Sequence, residues 1–273
     1  MRYLAAIFIL GLCVAAYAGT TYDLEAAGDH SAWAIVNDIK AGFEKSTGIS
    51  LHLVPEIAIV GKGCGKGTMF AESGVPGRFG LICCELDKHM LDRMGLRVYP
   101  FAEEPLAIIV NRKNPVNNLT LKQLRGIFSG RITNWKQVGG PNETIAVITQ
   151  LHCPDMKPNW KKLLPSPAAF TSKRVEVKAQ PEMARIVSDY GNAIGHLEMT
   201  SVMESGLRGI KIISVNGLYP NTGNMARGAY PLYGILSVVT KGEAKGKELA
   251  IIDYLRKSPG AKAAMEKYGM VQK

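Results

Sequence analysis

The sequence predicts an α/β protein built on a mixed, mostly parallel sheet flanked by helices. Three observations carry this. Residues 22–54 read as strand, turn, helix and strand, a βαβ unit whose crossover implies a parallel sheet. Residues 104–140 repeat the alternation, with a short apolar run, a loop rich in Asn and Pro, and an amphipathic helix. The chain has 273 residues, of which 47% are hydrophobic and 21% charged, enough to bury the core of one large or two medium domains.

At the N-terminus, Arg2 and the apolar run Leu4–Ala16 have the form of a secretory signal peptide, and Ala16-Tyr17-Ala18 supplies a cleavage site after Ala18. Cys13 follows the bulky Leu12 and so makes a poor lipoprotein site. No later stretch holds 18 consecutive apolar residues, so no stable membrane insertion is expected of the mature chain.

The mature chain then opens with a strand at Tyr22–Ala27 and a turn at Gly28–Ser31. A helix over Ala32–Lys45 places Ile35, Val36, Ile39 and Phe43 on one face, and Ile49–Val54 is the next strand. Gly61–Thr68 (GKGCGKGT) reads as a glycine-rich loop. It fits neither the nucleotide phosphate loop nor the dinucleotide fingerprint, since its lysines stand at the wrong positions. Its glycines would let backbone N–H groups approach an anion.

Pro105 is expected to stop whatever precedes it, and Leu106–Val110 to be a short buried strand. Thr120 and Gln123 form a capping box for a helix carrying Leu121, Leu124, Ile127 and Phe128, which Gly130 closes. Ile145–Thr149 is a strand, and the prolines at 154, 158, 165 and 167 argue against a long helix after it. Pro181–Tyr190 is a helix. Ala193–His196, Lys211–Val215 and Gly234–Thr240 are strands, and Glu243–Lys257 and Ala261–Tyr268 are the closing helices.

The formal net charge is +10, or +9 once Arg2 leaves with the leader, which attracts anions in general. The bases are scattered and no basic run is interleaved with aromatics, so nucleic acid is not a partner. Four cysteines remain after processing, Cys64, Cys83, Cys84 and Cys153, and none lies in a CxxC or haem-attachment pattern.

The central stretch carries a resemblance. Its order of Asn-Pro, Leu-Thr-Leu, Ile127-Phe128-Ser129-Gly130, Ile132 and Asn134-Trp135 resembles the signature of the periplasmic phosphate-binding proteins of ABC importers, and weaker matches run from Tyr22 to the C-terminus. The resemblance implies a two-lobed periplasmic-binding-protein fold. Residues 19–103 with 225–273 would form lobe one and 104–224 lobe two, with hinge closure on a solute held between them. It also implies a periplasmic monomer that captures phosphate or a similar oxyanion, serves an ABC permease, needs no cofactor and is not an enzyme. Carried over by position, the ligand-facing residues are Ser31, Gly63, Cys64, Gly65, Cys83, Cys84, His152 and Cys153.

The departures lie in that set. Cys83 stands where the family has Ser, and Cys84 where it has Arg, the usual bidentate partner of an oxyanion. Arg78 or Lys88 would have to compensate. Cys64 replaces the Ser of Gly-Ser-Gly, and His152-Cys153 the family's Arg and Ser-Gly-Thr. Thiols donate poorly to hard oxyanions and bind soft metal ions and metalloids well. The same fold could therefore hold a thiophilic ligand on Cys64, Cys83, Cys84 and Cys153. A disulfide from Cys64 to Cys83 or Cys84, and a thiol enzyme using Cys153 or Cys64 with a His, are the other readings. His196, in an Ala-Ile-Gly-His strand where the family has Tyr, is expected to be structural.

Overall fold

A computed structural model describes residues 22–54 and 63–273. The expected signal peptide, Gly61 and Lys62 lie outside the described residues. Strand β1 (Leu24–Gly28), helix α1 (His30–Thr47) and β2 (Leu51–Leu53) form the first βαβ unit. Next come α2 (Gly63–Glu72), β3 (Arg78–Ile82), α3 (Lys88–Met94) and the long strand β4 (Leu96–Asn111). A second run follows with β5 (Asn118–Leu119), α4 (Leu121–Phe128), β6 (Ala146–Thr149), β7 (Val175–Glu176), α5 (Gln180–Asp189), β8 (Ala193–Glu198), α6 (Met199–Glu204), β9 (Ile210–Val215) and α7 (Thr222–Ala226). The chain returns through β10 (Tyr233–Lys241) to α8 (Gly246–Lys257), α9 (Pro259–Glu266) and β11 (Val271–Gln272).

Two sheets share β4. On one side the order is β2-β1-β3-β10-β4, with β1 parallel to both neighbours and β10 antiparallel to β3 and β4. On the other, the second half of β4 pairs antiparallel with β8 and β9, and β6 adds parallel to β8. Pro105 therefore does not end a preceding segment, as the sequence suggested. It lies within β4, where residues up to 105 pair with β10 and residues from 106 pair with β8. A missing N–H disrupts a ladder least at such a handover.

The buried side chains fall into three clusters. One gathers Phe43, Phe79, Ile82, Phe101 and Ile251 around the first sheet. Another gathers Leu106, Phe128, Trp135, Trp160 and Tyr230 on one face of the second sheet. The third packs Ala107 and Ile109 of β4 against Met183, Val187 and Val202 on the other face. The 3-10 turns at Asn159–Lys162 and Pro167–Ala169 replace a helix in the proline-rich stretch.

The glycine-rich segment is corrected by the structure: from Gly63 onward it is helix α2, not a loop. Its glycines serve close packing. A Cβ on Gly67 would lie 2.4 Å from the Leu81 carbonyl oxygen, and one on Gly80 would lie 2.0 Å from that of Gly67. Glycine costs about 1 kcal/mol in a helix interior relative to alanine, and here that cost is offset by bringing α2 directly onto β3.

The capping box of α4 is formed. Thr120 Oγ1 accepts the Gln123 N–H at 3.1 Å, and Gln123 Oε1 accepts the Thr120 N–H at 2.8 Å. Gly130, with φ of +78°, follows the helix end. Thr120→Ala is expected to lower stability by about 0.5–2 kcal/mol through loss of this cap. Urea melts of the two proteins measure it, and coincident curves would place the helix start elsewhere.

Candidate functional site

The carboxyl ends of β1 and β3 face the N-termini of α1 and α2, the place where open α/β sheets take their ligands. Asp29 caps α1, its carboxylate accepting the Ala32 N–H at 3.0 Å. Because α2 lies on β3, Cys64 in its first turn reaches the residues just past β3. Cys64 Sγ accepts the Cys83 N–H at 3.1 Å. It stands 3.3 Å from Cys83 Sγ and 3.2 Å from Cys84 Sγ, with 3.8 Å between the latter two. The three sulfurs all lie within 4.8 Å of one another and are buried. All four cysteines of the described residues are free thiols.

Residues after β6 cover this trio from the second sheet. Glu176 fixes their backbone by accepting the Leu151 N–H at 2.7 Å, and the indole of Trp160 donates to the His152 carbonyl at 2.8 Å. His152 Nε2 thereby comes to 3.8 Å from Cys83 Sγ. Cys153 adopts a left-handed conformation, φ +48°, and packs against the first cluster, its thiol felt by Cys64 and Cys84. A two-way backbone bridge between Glu85 and Lys157, at 3.3 and 3.2 Å, ties the same segment to the residues after Cys84.

The cavity measures about 20 Å³, room for a water or a small solute centre. Ser31, Gly63, Cys64, His152 and Cys153 line it. Gly65 does not: it faces open space on the outer side of α2. Cys83 and Cys84 stand behind Cys64 rather than on the cavity wall.

One further expectation fails. Arg78 is engaged by Glu25 at 2.7 Å and lies over the Phe70 ring, and Lys88 pairs with Asp92 on the surface. Neither replaces the missing arginine, and among the described residues no Lys or Arg lines the cavity. The imidazole of His152 turns to the buried Cys83.

The sequence reasoning missed the acid wall. Glu198, buried at the end of β8, lines the cavity and accepts from Asn159 Nδ2 at 2.9 Å and from the Gln180 amide. An acidic residue closing an apolar strand was its only signal. Glu104 lies behind it, accepting the Thr200 hydroxyl at 2.7 Å and the Thr200 N–H at 3.1 Å. Burial, then the charge of Glu198, pushes Glu104 up to about 8.

The imidazoles differ. Burial works against a charge on His152, but Glu198, Cys153, Cys64 and Asp29 outweigh it and raise its pKa. His30 is raised by its 2.7 Å contact with Glu204 of α6. Burial takes His196 down to about 3, leaving it a neutral, structural ring packed edge-on against Phe128. Burial pushes the Cys64 thiol up, hydrogen bonding to Cys153 does the same for Cys84, and hydrogen bonding to Cys64 takes Cys153 up to about 11.

A family profile described as the PBP superfamily domain matches residues 15–265. The chain belongs to the PBP superfamily. It is 25% identical over 185 residues to the phosphate-binding protein PstS of Bacillus subtilis, and 28% over 184 residues to that of Borreliella burgdorferi. The matches span 68% and 64% of this chain but only 60% and 66% of those proteins. Two solved structures share the two-lobed PBP fold. An ABC-type phosphate transport receptor from Vibrio cholerae superposes with a TM-score of 0.68 at 24% identity, covering 92% of this chain and 99% of that one. A substrate-binding protein from Clostridium perfringens, solved with bound phosphate, gives 0.74 at 21% identity over the same shares.

The raised Glu104 makes stability pH-dependent. Below its ordinary value of 4.5 the carboxyl is protonated in both folded and unfolded chains. Between that pH and about 8 the unfolded chain releases the proton while the folded one keeps it, so stability falls as pH rises and then levels. Glu104→Gln keeps the acceptor for Thr200 and is expected to flatten this slope. Denaturant titrations from pH 5 to pH 9 test it, and an unchanged slope would assign the effect to another group.

Proposed function

We propose that this PBP-superfamily chain is an exported solute-binding protein that captures a thiophilic metal ion or metalloid between its lobes. The lobes are residues 19–103 with 225–273, and residues 104–224. The observation that carries the reading is the cluster of three buried thiols, within 4.8 Å of one another, at the ligand-facing ends of β3 and α2. Soft donors of this kind bind soft centres. Asp29 and Glu198 face the cavity, and neither Lys nor Arg does so among the described residues.

The thiols belong to lobe one, while His152 and Cys153 come from lobe two. A ligand engaging both therefore favours the closed arrangement by its differential affinity for it. Signal-peptide cleavage after Ala18 places the protein in the periplasm as a monomer that hands its cargo to an ABC permease, with no catalysis of its own.

A second reading keeps phosphate or a similar oxyanion as the ligand. It is favoured by the relatives named as phosphate-binding proteins and by the two helix N-termini that meet at the cavity. The buried carboxylates oppose it.

Thermal shift of the reduced protein separates the two. A soft ion or arsenite at 100 times its Kd is expected to stabilise the fold by about 2.7 kcal/mol, while phosphate leaves the melting temperature unchanged. A phosphate shift that survives alkylation of the thiols, with no response to arsenite, cadmium or mercury, would establish the oxyanion reading instead.

A further inference from the structure

We propose, resting on the thiophilic reading above, that the ligand is a three-coordinate trivalent metalloid. It enters as its neutral trihydroxide, arsenous or antimonous acid, and is held by Cys64, Cys83 and Cys84 alone.

The donor set has three members. Neither His152 nor Cys153 joins the group of ligand atoms that lie within 4.8 Å of one another, although both are near. A structural zinc site needs four such ligands in a tetrahedron. The edges of the trio point the same way. Around a centre about 2.3 Å from each sulfur, a tetrahedron has edges of about 3.8 Å and a planar trigonal site has edges of about 4.0 Å. Here one edge is 3.8 Å, but the other two are 3.2 and 3.3 Å. The corresponding angles at the centre average somewhat under 100°, the shape of a pyramid whose fourth position is a lone pair. Such a centre has no bond to offer a fourth protein ligand. Cys153 and His152 then close over the site rather than complete it.

Charge selects in the same direction. A divalent cation on three thiolates leaves a buried net charge of −1 beside a cavity that Asp29 and Glu198 line together with His30 and His152. A trivalent centre on three thiolates is neutral. The reaction balances without redox change. Three thiol S–H groups meet three metalloid–hydroxyl bonds, three sulfur–metalloid bonds form and three metalloid–oxygen bonds break. Each thiol proton leaves with a hydroxyl as water, so three waters are released and the net charge does not change. Cys64 presents the entry face to the cavity, with Cys83 and Cys84 behind it.

The experiment uses the full mature chain, reduced and free of metal, titrated calorimetrically with arsenite, zinc and cadmium in buffers of different ionisation enthalpy. X-ray absorption at the arsenic edge reads the coordination. One equivalent of arsenite is expected, with three sulfur neighbours, no oxygen or nitrogen neighbour, and a binding heat independent of the buffer. Cys153→Ser is expected to change arsenite affinity by only a few-fold. Cys83→Ser is expected to lose more than the roughly 10–100-fold that loss of an outer-shell partner costs. Tighter binding of cadmium or zinc in a four-ligand site would overturn this inference and leave the thiophilic reading standing. No response to arsenite, zinc or cadmium would overturn both. The absorption spectrum of the unaltered protein decides the coordination even where a cysteine variant does not fold.

Discussion

The contact between the backbones of α2 and β3 is the constraint on which the site depends. Gly80 in β3 and Gly67 in α2 meet with no room for a side chain on either. β3 is held on one side by β1 and on the other by β10, so the helix rests on a strand that cannot yield. At this separation the first turn of α2 delivers Cys64 to the backbone N–H of Cys83. A helix one side chain further away would part Cys64 from the Cys83–Cys84 pair. The close approach turns them into one cluster, closed from water by the segment that Trp160 and Glu176 hold in place.

The same geometry explains how a fold shared with phosphate-binding proteins can carry a different chemistry. Two helix N-termini still point into the cavity, and they still favour negative charge. The arriving group must also coexist with Asp29 and Glu198. Glu198 already takes the side-chain amides of Asn159 and Gln180. A multiply charged oxyanion would compete for them. A soft centre that bonds to sulfur does not depend on those donors.

What the sequence disclosed follows the range of the interaction. The α4 capping box was legible because Thr120 and Gln123 are three residues apart and the motif is local. The βαβ start was legible for the same reason, with Asp29 revising the helix start by two residues. Pro105 misled because a proline reads as a break, whereas its tolerance depends on which strands lie beside it, and β8 and β10 come far later in the chain. The glycine-rich segment misled because spacing alone does not separate glycines that bend a chain from glycines that admit a neighbour. The cysteines could be assigned to ligand-facing positions through the family resemblance. Their convergence, the withdrawal of Arg78 to Glu25, and the presence of Glu198 are tertiary facts.

The order of strands in the first sheet also governs the order of assembly. β10 lies between β3 and β4, yet it follows them by more than 120 residues. Until it arrives, β3 and β4 each present an open edge, and the strand that carries Cys83 and Cys84 at its end has a partner on one side only. The intervening stretch, from Leu106 to Leu232, already holds the residues of the second sheet and its two clusters, apart from Tyr233 and Val271 at the margin. It can condense while the first sheet is still in two pieces. The free edge of the strand that leads to Cys83 and Cys84 is therefore covered only when residues 233–241 have threaded back between β3 and β4.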